Sequence, residues 1–228
     1  MGASAGPDII EDGLVLALDA ADRNSYPGSG TTWTDLSGRG NNGSLVNGVA
    51  YNSTNGGTLV FDNVDEYVQI VSDGKGTAFE VPSYTIEAVC YRTTTGDSVI
   101  WSYDYTSHDP PYYAQHLRMS NDTLFFGWNH AGVLKSISNT FSLLNEWIVV
   151  TATHTSGYQA IYGNGVLLNS STLVGDITYY NQEIWIGKGN YGSSQLGGNI
   201  ANVRFYNRAL TASEIQQNFN MIRGRFGI

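Results

Sequence analysis

The chain has 228 residues and a formal net charge of -9. Its length fits one domain, and 27 glycines and 15 tyrosines beside only 14% charged residues are typical of a turn-rich β protein. An acidic protein repels a phosphate backbone, so nucleic acid is excluded as a partner. Cys90 is the only cysteine, which excludes an intrachain disulfide.

The beginning of the chain, MGASAGPDIIEDG, has neither a basic segment nor an apolar stretch, so no signal peptide is predicted. No apolar run reaches the roughly 20 residues that a membrane-spanning helix needs, and no membrane partner is expected. We expect an N-terminal arm at residues 1–12, one domain at 13–222 and a C-terminal tail at 223–228.

Short alternating or apolar runs bounded by Gly, Asn, Asp or Ser recur along the chain, as they do in β-strands. Within one of them, Ile86, Ala88 and Cys90 share the face predicted to line the core. Because no helical period separates the runs, we predict an all-β fold of two packed antiparallel sheets. The ten clearest runs are 14–18, 58–61, 67–71, 85–91, 98–103, 123–128, 147–154, 158–162, 183–186 and 200–206.

Two segments between these runs carry turn signals. Residues 27–48 are rich in Gly, Ser, Asn and Thr, but the apolar residues Trp33, Leu36, Leu45 and Val46 recur within them. We therefore expect a long surface loop that is pinned to the sandwich. Asn164–Gly165 lies between two apolar runs, which predicts a type I′ hairpin.

The end of the chain predicts a helix. Thr211 and Glu214 have the spacing of a capping box, and Ile215, Phe219 and Ile222 follow at helical spacing. A short amphipathic helix is therefore expected over residues 211–222, outside the two sheets.

Several of these blocks resemble the successive segments of a laminin-G-like domain of the concanavalin A-like lectin/glucanase superfamily. They include FDNVDEYVQI at 61–70, YTIEAVCY at 84–91, IYGNG at 161–165, IWIGKG at 184–189 and NIANVRFYNRALTASEI at 199–215. The resemblance implies a jelly-roll sandwich. The opening segment, GLVLALDAADRNSYPGSGTTWTDLSGRGNNGSLVNG at 13–48, is similar to laminin-G-like proteins of tailed bacteriophages, which implies a part of the virion.

Hydrolysis of glycans is not expected. Glucanases of this superfamily supply paired carboxylates from one strand as Glu-x-Asp-x-x-Glu, and no such string occurs here. The densest acidic cluster, Asp62, Asp65 and Glu66, fits a turn or a cation site. None of the four histidines lies in a nucleophile context, so we predict a non-enzymatic protein and keep a glycoside hydrolase as an alternative.

Calcium is the one cofactor that the resemblance suggests, since superfamily members often hold it at loop edges with carboxylates and carbonyl oxygens. The same aspartates could instead cap glycine-rich turns, and that alternative stays open. The candidate ligands are Asp19, Asp22, Asp35, Asp62 and Asp65.

Carbohydrate recognition requires aromatic faces beside planar polar groups. Two aromatic stripes have the parity of strand faces, one on each side of the proline-containing segment 107–116, and either could instead belong to the core. The candidate binding residues in the stripes and in this segment are Trp101, Tyr103, Tyr105, His108, Tyr112, Tyr113, Trp128 and His130.

The two ends of the chain differ from the acidic domain between them. Arg223, Arg225 and Phe226 form a basic and apolar tail that we expect to dock into a partner, together with Ile9 and Ile10 of the arm. The sequence thus predicts a virion structural protein of a tailed phage at the particle surface. Its expected partners are other virion proteins, a host surface carbohydrate or further copies of this chain; a free bacterial lectin is the alternative.

Overall fold

The computed structural model of the chain describes residues 8–70, 77–104, 114–141, 144–172, 175–179, 183–189 and 194–228. These residues form two antiparallel sheets of eight strands each, one α-helix and two short 3-10 helices, Thr54–Gly56 and Thr77–Phe79. The predicted all-β sandwich is confirmed, and a strand is present at each of the ten predicted runs. Within the described ranges, no helix is long and apolar enough to span a membrane.

The strands of each sheet are antiparallel neighbours. The first sheet has the order β14 (Val166–Ser171), β13 (Tyr158–Gly163), β12 (Trp147–Thr155), β7 (Tyr84–Arg92), β16 (Gly197–Tyr206), β5 (Thr58–Asp62), β4 (Ala50–Asn52), and β1 (Leu14–Asp19) also pairs with β16. The second has the order β11 (Val133–Thr140), β10 (Thr123–His130), β9 (Gln115–Ser120), β8 (Ser98–Asp104), β15 (Glu183–Ile186), β6 (Tyr67–Ile70), β3 (Gly43–Val46), β2 (Thr32–Trp33).

The core lies between the sheets and is rich in aromatic rings. The predicted inward set Ile86, Ala88 and Cys90 is fully buried there. Rings from both sheets stack, and the centroids of Trp101 and Phe205 are 5.4 Å apart. Burial raises the pKa of the Cys90 thiol to about 12, so this cysteine is an inert core residue.

The predicted type I′ turn at Asn164–Gly165 is confirmed by its backbone angles. Asn164 and Gly165 have φ angles of 50° and 77°, as both central positions of a type I′ turn require. The expected long loop at 27–48 is corrected in part, because it contributes strands β2 and β3 to the edge of the second sheet. Trp33 is fully buried as predicted, whereas Leu36 is exposed.

Helix α1 (Ala212–Phe226) begins at the predicted capping box, in which the Glu214 amide donates to the Thr211 hydroxyl. It continues past the expected end at residue 222 and stops at Gly227, whose left-handed conformation suits a helix C-cap. The apolar side of the helix covers the outer face of the first sheet. Phe219, Ile222 and Phe226 pack there against strand residues Val89, Val149 and Ala201.

This helix corrects the prediction of a free docking tail. Arg223 lies with its guanidinium 5.8 Å from the ring centroid of Phe219. Arg225 forms an ion pair with Asp19, at 2.8 Å, and Phe226 is 91% buried with its ring 4.6 Å from that of Trp147. Arg225 and Phe226 are thus held within the domain, whereas Arg223 is exposed and its role in docking stays a prediction.

The N-terminal arm is corrected in the same way for its described part. The Ile10 backbone amide donates to the side-chain Oδ1 of Asn218 in α1, and Asp12 forms an ion pair with Arg208. Ile10 also packs on the cluster that contains Leu210. Residues 8–12 therefore belong to the domain, and Ile9 lines a cleft beside them.

We expect Phe226→Ala to lower the free energy of unfolding by about 3 kcal/mol, because it removes a buried aromatic side chain. Met221→Ala on the exposed side of the same helix is the matched control and should change stability by less than about 0.5 kcal/mol. Urea denaturation measures both. Equal stability of the two variants would contradict the docked helix end.

The buried imidazole of His154 predicts a pH dependence. It is stacked on Tyr84, and burial lowers its pKa from 6.5 to about 4. The unfolded chain therefore takes up a proton before the folded protein does, and stability falls as pH drops from 6.5 towards 4. Between about pH 7.5 and pH 5 the loss should be about 2 kcal/mol. His154→Phe keeps a stacked ring and should lack this loss in urea titrations at the two pH values.

Candidate functional site

The structure separates the predicted recognition residues into three groups. Trp101, Tyr103 and Trp128 are fully buried between the sheets, so their assignment as sugar-facing residues was wrong. Their parity was read correctly, but that face of each strand is the core. The indole of Trp101 donates to Gln115 at 3.0 Å, which is a contact within the core.

Of the remaining candidates, only His130 lies in the part of the chain that the structure describes. His130 ends β10, partly exposed, with its Nδ1 atom 2.7 Å from the carbonyl oxygen of Asp176. Its role in binding stays a prediction. Tyr105, His108, Tyr112 and Tyr113 lie outside the described residues, so their assignment also stays a prediction.

An aromatic pocket is present instead on the outer face of the first sheet. Trp147 at the start of β12 is paired in register with Tyr91 of β7, and Tyr91 is paired with Asn199 of β16. Three adjacent strands thus place these side chains in one row. A cavity of about 170 Å³ lies over the row, and we call it the Tyr91–Trp147 pocket; its lining residues are Asn52, Thr54, Thr58, Tyr91, Trp147 and Asn199.

The aromatic side of the pocket is held by packing. The ring centroids of Tyr91 and Trp147 are 5.4 Å apart with the planes inclined by 51°. Phe226 of α1 packs against Trp147, so the end of the helix supports the indole. Both pocket rings remain partly exposed, and each can offer apolar surface to a ligand.

The polar side of the pocket is held by hydrogen bonds. The Asn199 amide donates to the Thr58 hydroxyl at 3.1 Å, and Asn52 accepts from both the amide and the hydroxyl of Thr54. Arg225 fixes the same turn by donating to the carbonyl oxygens of Asn55 and Gly57. All six lining side chains are uncharged, and they combine aromatic faces with amide and hydroxyl groups. Such a set suits a sugar ring.

A larger cleft of about 560 Å³ lies beside β1, with Glu11, Asp19, Asp22, Arg39 and Arg204 among its lining residues. No aromatic ring is among its described lining residues. Two of its charges are already compensated, because Asp19 pairs with Arg225 and Arg204 pairs with a buried glutamate of β7. The smaller Tyr91–Trp147 pocket is therefore the better candidate.

The calcium hypothesis does not fit Asp35 or Asp19. The Asp35 carboxylate accepts four hydrogen bonds, from the amides of Ala17, Ser37 and Asn41 and from the Ser37 hydroxyl. Asp19 accepts from Arg225 and from a backbone amide. These contacts are those of turn-capping aspartates.

The acidic turn between β5 and β6 is more open. Asp62 caps the amide of Val64, and burial together with the charges of Asp62 and Asp65 raises the pKa of Glu66. In the part of the chain that the structure describes, no three His, Cys, Asp or Glu side chains are grouped to hold a metal ion. Calcium at Asp62 and Asp65 stays a prediction.

Sequence reasoning missed this pocket. The alternation in β7 did place Tyr91 on the face opposite Ile86, and Trp147 has the corresponding parity in β12. Aromatic residues on the outward parity were thus a usable signal. The contribution of Asn199 and Thr58 to the pocket could not be predicted from the sequence, because it depends on the order of the strands in the sheet.

The pocket can be monitored by fluorescence. Of the five tryptophans, Trp147 is partly exposed, whereas Trp33, Trp101, Trp128 and Trp185 are at most 5% exposed. We expect Trp147→Phe to remove most of the collisional quenching by acrylamide. Trp185→Phe, the matched control, should leave quenching nearly unchanged. If Trp185→Phe removed more of the quenching than Trp147→Phe does, the accessible indole would not be that of Trp147.

Comparisons with known proteins agree with this fold. The Laminin_G_3 model, described as concanavalin A-like lectin/glucanases superfamily, matches residues 61–216, more than half of the chain. A comparison with curated protein sequences gives no significant match.

Solved receptor-binding domains of botulinum neurotoxins have a similar structure. The domain of the C/D mosaic serotype has a TM-score of 0.72 at 15% identity, over 93% of this chain and 52% of that chain. The type G domain has a TM-score of 0.67 at 17% identity, over 92% and 51%. The DC binding domain in complex with SialylT has a TM-score of 0.70 at 18% identity, over 93% and 52%. The present chain thus spans about half the length of these domains, and at such identities the likeness shows the fold alone.

Proposed function

The chain belongs to the concanavalin A-like lectin/glucanases superfamily, and on that premise we propose that it is a non-enzymatic module that binds a carbohydrate in the Tyr91–Trp147 pocket. One observation carries the proposal: two partly exposed aromatic rings lie beside amide and hydroxyl groups in a preformed cavity. The C–H face of a sugar stacks on such rings, and its hydroxyl groups bond to the amides.

The supports of the pocket favour binding. Packing by Phe226 and the hydrogen bonds of Arg225 already fix the aromatic and polar walls. A ligand then loses less free energy to the ordering of side chains and loops. The similar neurotoxin structures are themselves described as receptor-binding domains, which is consistent with a binding role for this fold.

The same pocket lacks the groups for hydrolysis. A retaining glycosidase places two carboxyl groups about 5 Å apart across the scissile bond, and an inverting enzyme places them about 6.5–9.5 Å apart. No carboxylate is among the six lining side chains. A sugar held there meets no acid or base among the described lining residues, so we propose binding without cleavage.

We further propose that the module is displayed on the particle of a tailed phage, with capsid or tail proteins as neighbours and a bacterial surface glycan as the ligand. The support is the similarity of residues 13–48 to phage laminin-G-like proteins. Since Ile10 and Phe226 pack on the domain, we propose that attachment uses the surface of the sandwich and not these two residues. Copurification of the chain with particles at a fixed copy number tests this placement; recovery of all of the protein free of particles would favour a free lectin.

Binding is tested with a panel of immobilised glycans. We expect Trp147→Ala to weaken binding about tenfold or more, a loss of about 1.4 kcal/mol. Tyr158→Ala, which removes an exposed tyrosine on β13, is the matched control and should bind normally. Circular dichroism checks that both variants are folded, and Tyr91→Ala repeats the test from the second ring.

Hydrolysis is tested on the same glycans. No release of reducing ends is expected from the wild-type protein or from Glu66→Gln. If Trp147→Ala and Tyr91→Ala both bind the glycans as well as the wild-type protein does, the pocket is not the binding site. Turnover that Glu66→Gln abolishes would show instead that the acidic turn is catalytic.

A further inference from the structure

The Tyr91–Trp147 pocket has a charge environment that bears on which sugars it takes. Arg225 contacts the turn that forms one wall, but its Nε atom and one terminal nitrogen donate to carbonyl oxygens. The other terminal nitrogen donates to Asp19 at 2.8 Å. The guanidinium is thus neutralised and its nitrogens are engaged, so it supports the wall without offering a cation to a ligand.

The six described lining residues carry no charge. The polar groups that the lining can offer are the side-chain amides of Asn52 and Asn199 and the hydroxyls of Thr54 and Tyr91. Thr58 is fully buried and holds Asn199 in place. These groups pair well with hydroxyl or acetamido groups. A carboxylate in the pocket would lose part of its hydration without gaining a cationic partner, which is costly. The net charge of -9 adds long-range repulsion of an anion.

The size of the pocket limits how much of a glycan it holds. At about 170 Å³ it is below the roughly 300–1,000 Å³ of sites for drug-sized ligands. The two rings meet at an angle of 51° and form a corner instead of a flat platform. A single sugar ring fits such a corner.

From these observations, and resting on the proposed carbohydrate function, we infer that the Tyr91–Trp147 pocket selects one uncharged sugar ring of a glycan and discriminates against acidic sugars. The selection has two causes. Neutral lining groups match hydroxyl and acetamido substituents, and the nearby guanidinium is held by Asp19 and by backbone carbonyls. Discrimination thus arises from the absence of a cationic partner among the described lining residues.

The test uses matched pairs of sugars that differ only at C6: methyl glucoside against methyl glucuronide, and methyl galactoside against methyl galacturonide. Binding is measured on the intact protein by protection of Trp147 from acrylamide quenching. At least one neutral sugar should protect, and its uronide should need a concentration at least about tenfold higher. Trp147→Phe identifies the signal, because protection should vanish with that indole.

A gain of charge sharpens the test. Thr54 is exposed at the pocket rim, so Thr54→Lys should reduce the discrimination at low ionic strength. Thr54→Gln, of similar length and uncharged, is the control: because Thr54 lines the pocket it can change the affinity for both sugars, but the ratio of the two affinities should stay that of the wild type. High salt should restore the wild-type preference in the lysine variant.

The outcomes separate the two proposals. Protection by a uronide as strong as that by its neutral partner overturns the inference about charge and leaves carbohydrate binding intact. Absence of protection by every sugar, together with no binding to the glycan panel, overturns both. A neutral preference that Thr54→Lys reduces and Thr54→Gln retains supports the inference.

Discussion

The placement of the C-terminal helix depends on an ion pair buried beneath it. Glu87 and Arg204 lie on the outer face of the first sheet, 2.7 Å apart and almost fully shielded from solvent. Burial opposes the charge on Arg204, but Glu87 outweighs it and raises the pKa of the arginine. Such a pair is stable only if its remaining oxygens and nitrogens are also satisfied. Asn218, in the middle of α1, supplies an amide next to Glu87 and Tyr206, so the rotation of the helix follows from this network.

The position of the helix in turn determines the walls of the pocket at its C-terminal end. Asn218 and Phe226 are two turns apart on α1, and Phe226 therefore reaches the indole of Trp147. The adjacent Arg225 extends to Asp19 and to the turn that carries Thr54. Arg225 and Phe226, two of the three residues that resemble a docking tail in the sequence, are thus supports of the pocket. Their local composition gave no sign of this, since the contacts cross more than 70 residues of sequence.

Features that depend on neighbouring residues were predictable from the sequence, and features that depend on sheet order were not. The capping box at Thr211 and the turn at Asn164 involve residues at most three apart, and both are present. The stripes with Trp101 and Trp128 failed because alternation groups residues by face without saying which face is buried. The helix end was misplaced because Gly224 and two arginines lack the apolar period, although Gly227 provides the cap.

The distribution of carboxylates in the described part of the chain is consistent with the proposed binding function. Glu87 is held by Arg204, and Asp35 is held by four hydrogen bonds. Hydrogen bonds from Arg208 lower the pKa of Glu214 to about 2, so it remains ionised and cannot act as a general acid near neutral pH. Burial raises the pKa of Glu66 above its ordinary value, but Glu66 lies on the β5–β6 turn and is not among the residues that line the Tyr91–Trp147 pocket. None of these carboxylates lines the pocket that contains the two aromatic rings. Their separation from the rings favours recognition of a sugar over its cleavage.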